Sequence, residues 1–534
     1  MEGSYVQSAR ALVGRTFHHS RKRTLVFACL FAAYAYIQPV GYRHSYPTLR
    51  ERIGFAHGFA NNKSLRLFYG QPHDLLTSSG YSAWRVGGVL AIAAAFLGLL
   101  AAVRALRGDE DAGRTEAVLA GPVGRRAFYL SSISAVGVAI LSLWLAEFLG
   151  LTLGGLPASG AAYLALATVS VGASFASLGA VASQFAPTPR GAISIGSATL
   201  ALMLLLRALA DTVSGLEVLR WITPLGWAEQ LRPFAGPQPL VLLLPILASL
   251  SLLTLGARIF ERRDLGTGLL PARDSADARF YLLGSPAAQA LRIGRAPLAS
   301  WTGCLALSAF ILGTLSKAVS SADISPSVQR QLAKLGSASI TTPAGYLAVV
   351  FIVFVLAISL FGCMQLSAIR QEEAGRRLET LLALPLGRRR WIGTRLLMTA
   401  VEIAVLALVV GLSAWLGSAV VGAGVSLPKM LEAGANAVPV GVLFIGVGAI
   451  GFGLLPRATA GVAYGAVTVS FVWQLVGSLS GAPSWLISLT PFAHVGWAST
   501  GPFRSGTAAV MIATGAAAAL AAIAVFGRRD VVSD

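Results

Sequence analysis

The sequence predicts an all-α polytopic membrane protein of about twelve transmembrane helices, built as two fused six-helix halves. Three observations lead there. The 534 residues are 55% hydrophobic and only 12% charged, with a mean hydropathy of +0.70, whereas a soluble chain carries about 25% charged residues. Many apolar windows exceed the roughly 18–20 residues that cross a bilayer. Finally, a charged motif and its flanking segments occur twice, each pair about 260–270 residues apart.

The elements follow in order. Predicted spans of the first half lie at 24–40, 83–106, 127–149, 161–183, 192–212 and 240–259. Those of the second half lie at 297–318, 346–369, 391–420, 437–455, 458–479 and 508–526. The Arg21-Lys22-Arg23 cluster precedes the first run, and no small-residue cleavage site follows, so the run reads as a retained span with its N-terminus inside. The long loop 41–82 is rich in Gly, Pro and aromatic residues, which suits short interfacial helices. Residues 1–261 thus form the first half, 262–295 a polar cytoplasmic linker and 296–534 the second half.

Charge placement fits this order. Most of the 42 Lys and Arg residues fall in segments that share the N-terminus's side, as the positive-inside rule requires. The expected location is the inner or plasma membrane, with both termini cytoplasmic. The net charge of +19 is accounted for by these loops, so no nucleic-acid partner is expected.

The repeated motif runs over 109–126 and again over 372–389. With Glu116 laid on Glu379, Arg114 meets Arg377, Leu119 meets Leu382, Pro122 meets Pro385, and Arg125-Arg126 meet Arg388-Arg389. Each copy reads as a short amphipathic helix leaving a span, with acids at its N-terminus and a stop at the proline. The Arg pair after the proline suits phospholipid headgroups. The second copy has one more residue between its glycine and the aligned glutamate. Ile222-Thr223-Pro224 before the sixth span recurs as Leu489-Thr490-Pro491 before the twelfth. Phe260-Glu261-Arg262-Arg263-Asp264 recurs as Phe526-Gly527-Arg528-Arg529-Asp530. The halves are therefore parallel repeats.

The runs 372–391 and 261–273 resemble those of type-2 ABC exporter permeases, closest to the actinobacterial group described as polyketide-antibiotic exporters or tetronasin-resistance-like proteins. The resemblance covers both halves and the linker. It implies that the repeated helices, near 108–122 and 371–385, are coupling helices seated on an ATP-binding subunit. Glu110, Arg114, Glu116, Leu119 and Pro122 would belong to the first. Glu373, Arg377, Glu379, Leu382 and Pro385 would belong to the second. A fused chain would pair with two copies of a separate ABC ATPase, which would hold the ATP and Mg.

The residues agree that no engine is expected inside this chain. It contains no GxxxxGK[ST] run, and none of the five lysines follows a phosphate-cradling loop. No GxSxG is present, and the spacings of Cys29, Cys304, Cys363 and the six histidines suggest no metal site or disulfide framework. Ionisable residues inside spans are candidate functional groups: Glu147, Glu402 and the pair Arg207–Asp211, which is four apart on one helix. A substrate path is expected beside the second, fifth, eighth and eleventh spans, where Phe96, Met203, Leu206, Phe354, Phe361, Phe471, Trp473 and Gln474 are candidates to line a cavity for a bulky apolar ligand. The expected function is ATP-driven export of hydrophobic or amphipathic compounds, such as polyketide-type antibiotics. The alternatives are a lipid or glycolipid exporter, a non-transporting membrane sensor or immunity protein, and an ion-coupled transporter using Glu147 or Glu402.

Overall fold

The computed structural model describes residues 2–59, 66, 69–212, 215–270, 284–321, 342–375, 377–383, 385–480, 483–495 and 503–530. It divides into two units, Met1–Ala276 and Asp277–Asp534, and the division falls inside the predicted linker. No strand occurs among the described residues.

The first unit contains α1 (Glu2–Ser45), α2 (Leu49–Phe59), α3 (Ser78–Asp111), α4 (Arg114–Leu119), α5 (Arg125–Leu153), α6 (Ala158–Phe185), α7 (Pro189–Thr212), α8 (Pro224–Gln230) and α9 (Leu243–Arg262). The second contains α10 (Pro286–Ser321), α11 (Pro343–Ala374), α12 (Arg377–Leu382), α13 (Arg388–Val420), α14 (Leu427–Ala435), α15 (Ala437–Leu454), α16 (Thr459–Ser480) and α17 (Ser505–Phe526). Among the described residues, eleven helices are long and apolar enough to cross a membrane. They cover every predicted span except 458–479, where the 22-residue α16 lies.

Within each unit, the first and third spans approach closely at a glycine. A Cβ on Gly150 of α5 would stand 2.3 Å from the Ala32 carbonyl oxygen of α1, and one on Gly417 of α13 would stand 2.0 Å from the Phe310 oxygen of α10. Small residues at such crossings suit membrane helices, which gain little from hydrophobic burial against apolar lipid and associate through close packing.

The Thr-Pro repeats start short helical turns on the loop side. Thr223 Oγ1 accepts from the Gly226 amide at 3.0 Å, and Thr490 Oγ1 accepts from the Ala493 amide at 3.2 Å. Each is an N-cap followed by a proline at the first helical position, where its missing N–H costs nothing. The loop after α1 forms α2, opened by a capping box. The Thr48 amide donates to Glu51 Oε2 at 3.1 Å, and the Glu51 amide donates to Thr48 Oγ1 at 3.3 Å. Phe55 of α2 meets Tyr42 and Tyr81 edge-on, and these two tyrosines stack on each other, with ring centroids 4.6–6.0 Å apart.

The second spans of the two units differ in one respect. α3 passes through a π-helical turn at Arg104–Gly108 before its last residues, whereas α11 is α-helical throughout. The linker is also more than a connector. Its residues 263–270 fold back onto the first unit, where the Leu269 and Leu270 amides donate to the Gln184 and Phe185 carbonyls at 3.1 and 2.9 Å. Its residues 286–295 form the first turns of α10.

Substituting Gly417→Val places side-chain carbons into the Phe310 backbone. Overpacking of this kind costs about 1–3 kcal/mol, so the variant should unfold at a clearly lower temperature in detergent. Gly461→Ala, which meets open space, serves as the matched control and should leave the midpoint unchanged.

Candidate functional site

The repeated motif is held by a buried ionic clasp in each unit. In the first, Glu110 is the acceptor. Arg263 grips it with two nitrogens, Nη1 to Oε1 at 2.7 Å and Nη2 to Oε2 at 2.5 Å, and the Gly266 amide donates to Oε1 at 2.6 Å. Arg107, one turn earlier on α3, adds a contact at 3.1 Å. Arg107 also donates to the Thr267 carbonyl at 2.9 Å and the Pro187 carbonyl at 2.5 Å, and Arg263 Nε donates to Gln184 Oε1 at 2.9 Å. Two spans, the α6 terminus and the start of the linker thus meet on one carboxylate. In the second unit Glu373 takes the same part. Arg529 Nη2 lies 2.9 and 3.0 Å from its oxygens, and Arg370 Nη1 lies 3.2 Å away. The Glu110 and Glu373 side chains are 2% and 0% exposed. Each long-range arginine also faces aromatic rings, Phe260 for Arg263 and Phe452 and Phe526 for Arg529, at 5.3–5.7 Å.

This placement revises the sequence reading of the acids. Glu110 and Glu373 end the second span of each unit instead of opening the short helix, and they are buried, so neither offers its carboxylate to a partner. The short helix begins after them, in the first unit past Gly113 at φ +68°. α4 and α12 are both six residues long and start 263 positions apart, the separation that also relates Glu110 to Glu373. No residue is inserted between carboxylate and helix. The shifted glycine changes the turn and leaves the register intact.

Both short helices anchor an inner face and leave an outer one. On α4, Thr115 is buried and Val118 and Leu119 pack against Phe128 and Phe260, while Arg114, Glu116 and Ala117 are exposed, as is Pro122. Arg114 pairs with Asp109 at 2.6 Å. On α12, Leu378 is fully buried and Leu382 is partly buried beside it, while Glu379 and Thr380 are exposed, as is Pro385. Arg377 begins this helix, and its side chain lies outside the described residues. The arginine pairs after the prolines divide their roles. Arg125 Nη1 donates to the Arg263 carbonyl at 2.8 Å, and Arg388 Nη1 donates to the Arg529 carbonyl at 2.7 Å. The first arginine of each pair therefore caps the end of the last span instead of seeking headgroups, whereas Arg126 remains largely exposed.

The candidate path residues differ in exposure within their own units. Phe96 and Trp473 are 43% exposed, while Phe354 and Phe361 are packed in the interior of the second unit. Met203 and Leu206 are half-buried on α7, and Met203 packs beside Leu99 and Phe175. Phe471 meets Phe492 edge-on at 5.4 Å, and Gln474 accepts from the Thr490 hydroxyl at 2.7 Å.

The first unit holds a cleft at the end of α3 away from the motif, lined by Tyr69, Trp84, Thr168, Arg207, Ala228 and Glu229 among others. Arg207 and Asp211 were expected as a simple pair on one helix, and they belong to a four-charge cluster. Arg220 bonds Asp211 at 2.7 Å, while Glu229 lies 3.4 Å from Arg207 and 3.6 Å from Arg220. Burial pushes the Glu229 carboxyl up to about 8. Arg220 and Glu229 escaped the sequence reading because nothing in their spacing joins them to Arg207. Glu147 is fully buried on α5 and accepts from Thr168 Oγ1 at 2.9 Å, and Glu402 accepts from Gln365.

Two outcomes follow from these contacts. Arg263→Met leaves a buried carboxylate short of its main partner and should cost about 3–5 kcal/mol. Adding Glu110→Leu should recover part of that loss in a double-mutant cycle read by unfolding in detergent. Because the folded-state pKa of Glu229 is raised, its contribution favours the fold at low pH and is lost as pH rises from its ordinary range through about 8. Relative to wild type, Glu229→Gln should therefore be more stable at pH 9 than at pH 5, as measured by melting temperature across that range.

The comparisons with known proteins fit this architecture. The family described as multidrug efflux system permease Rv1217c, C-terminal domain, matches residues 59–261 and 283–529, and the unmatched stretch between them lies in the linker. The multidrug efflux system permease protein Rv1217c of Mycobacterium tuberculosis (strain ATCC 25618 / H37Rv) is 31% identical over 490 residues, which cover 91% of this chain and 88% of that protein. With its membrane-length helices, its internal repeat and a match that spans both units, the chain is a multi-pass membrane protein belonging to this efflux-permease family.

Proposed function

We propose that this chain is the permease subunit of an ATP-driven ABC exporter that moves hydrophobic or amphipathic compounds, drugs among them, out of the cell. The observation that carries the reading is the pair of short helices α4 and α12. Each is fastened by its apolar side and by a buried clasp at the end of a span, and each exposes a polar face that nothing among the described residues of its own unit covers. A surface held so firmly suits a partner that pushes on it. The partner would be an ABC ATPase carrying ATP and Mg, in two copies, because one chain supplies two such helices. Arg114, Glu116, Arg377 and Glu379 would meet it, while Leu119, Leu382 and the prolines Pro122 and Pro385 would set the helices' inner faces and ends. Glu110 and Glu373 would act from behind as positioning residues. The motif-bearing end, both termini and the linker would be cytoplasmic, in the inner or plasma membrane, which accords with the distribution of Lys and Arg. The similarity to a multidrug efflux permease of Mycobacterium tuberculosis supports the substrate class.

The test is charge reversal on the exposed faces. Glu116→Arg with Glu379→Arg should lower transport and substrate-stimulated ATP hydrolysis by the assembled complex about tenfold or more. Both residues are exposed, so stability should shift by less than about 0.5 kcal/mol. Unchanged transport in the double variant would remove the coupling role. Native mass measurement of the complex should give one copy of this chain with two ATPases. Two copies of this chain would exclude the fused-halves reading.

A further inference from the structure

The cleft in the first unit has two distinct ends. One is apolar, with Tyr69 and Trp84 forming a tilted aromatic pair 5.1 Å apart and Gly87, Leu164 and Ala167 lining it from α3 and α6. The other is ionic. Arg207, 2% exposed, lines it beside Glu229, with Asp211 and Arg220 behind. Arg85 stands over the Tyr69 ring at 4.4 Å. Arg232 is close enough, with Arg220, to depress the basicity of the cleft-lining His73, after burial itself. Arg207 and Arg220 thus meet the two carboxylates, while Arg85 adds a further positive charge over the apolar end.

The charges of the cluster are not repeated at the corresponding positions of the second unit. The positions that correspond to Arg207, Asp211, Arg220 and Glu229 carry Gln474, Ser478, Ile487 and Gly496. There the link between the fifth-span position and the Thr-Pro segment is made by the neutral Gln474–Thr490 hydrogen bond. Holding the Thr-Pro turn therefore does not require four buried charges, and their retention in the first unit calls for another use. The Glu229 carboxyl also closes the site. It lies against Gly70, where a Cβ would fall 1.7 Å from Oε1, and Gly70 has φ +83°. The roof of the cleft therefore depends on a glycine next to the lining Tyr69.

We propose that this cleft binds an anionic amphiphile, with its apolar body between α3 and α6 against Trp84 and Tyr69 and its acidic head beside Arg207. Buried arginines reward a carboxylate or phosphate with short, charge-assisted hydrogen bonds, and Arg207 is the buried arginine that lines the cleft. The small residues of the wall admit a chain or flat ring system without fixing its shape. The proposal takes its purpose from the export reading, but it is tested without ATPase or nucleotide. Loss of binding here and loss of coupling in the α4 and α12 variants therefore fail independently.

The purified full-length chain, in nanodiscs of phosphatidylcholine, is titrated with a dansyl-labelled undecanoate and with its neutral methyl ester, following dansyl emission. The acid should bind about tenfold tighter than the ester or better, the equivalent of one good charge-assisted contact. Arg207→Gln, which installs the residue of the second unit, should remove that preference while leaving ester binding in place. Gly87→Leu touches no charge and starts from ordinary contact, its Cβ lying 3.6 Å from Leu164. It should fill the cleft and weaken both probes about tenfold. This second variant keeps the test valid if Arg207→Gln proves unstable. Equal affinity for acid and ester in the wild type, a preference that survives Arg207→Gln, or probes indifferent to Gly87→Leu would each overturn the proposal. Repeating the titration with phosphatidylglycerol in the disc identifies the source of the anion. Displacement of the acid assigns the site to a membrane lipid, and no displacement assigns it to a free amphiphile. Both results keep the requirement for negative charge.

Discussion

A carboxylate taken out of water must be met by charge and by hydrogen-bond donors, or the fold gives way. At Glu110 and Glu373 this constraint organises the motif-bearing end of each unit. Each glutamate ends the second span and is met by an arginine just past the sixth, 153 and 156 residues away along the chain. The sixth span cannot shift relative to the second without exposing or orphaning an ion. The short helices α4 and α12 sit on this junction, and Arg125 and Arg388 close its other side by capping the chain after α9 and α17. A load placed on either short helix is therefore carried into two membrane spans at once.

Much of this was legible in the sequence. Hydropathy located the spans because crossing a bilayer demands a length of apolar residues that little else in a chain imitates. Comparing the halves revealed the motif, the Thr-Pro turns and the Arg-Arg-Asp segments. The roles within the motif were not legible. An acid before an amphipathic helix looks the same whether it opens that helix or closes the previous one, and only the turn at Gly113 decides between them. Arg263 and Arg529 were visible as a repeat, yet nothing local named Glu110 and Glu373 as their partners. Likewise Arg207 and Asp211 announce themselves by their four-residue spacing, whereas Arg220 and Glu229 join them only through the fold.

The halves agree where they must be mechanically alike and differ where ligand chemistry would act. The clasps, the caps and the glycine crossings recur. The buried polar groups of the spans do not. Glu147 on α5 bonds Thr168, and its second oxygen has no hydrogen-bond partner among the described residues. Glu402 on α13 bonds Gln365 and faces Gly294 of α10. Neither has an acidic counterpart at the corresponding position. The repeat therefore supplies a common scaffold on which each half carries its own polar chemistry.

The π-helical turn at Arg104–Gly108 changes how the two halves are to be compared residue by residue. A π turn takes in one residue more than an α turn, so a span that contains one gains a position without gaining a face. The burial pattern records this. Above the turn, the buried Leu90, Ala94, Leu99 and Ala102 match the buried Phe354, Ile358, Cys363 and Leu366, 264 positions on. Below it, Arg107 and Glu110 match Arg370 and Glu373 at 263. A uniform offset would set Leu90 against Val353, which is 57% exposed. The two second spans thus keep the same inner surface along their length and the same ionic end, despite unequal residue counts. An insertion or deletion in one half has been absorbed as a local widening of the helix, and equivalence between the halves is set by the side of the helix a residue occupies, not by its distance along the chain.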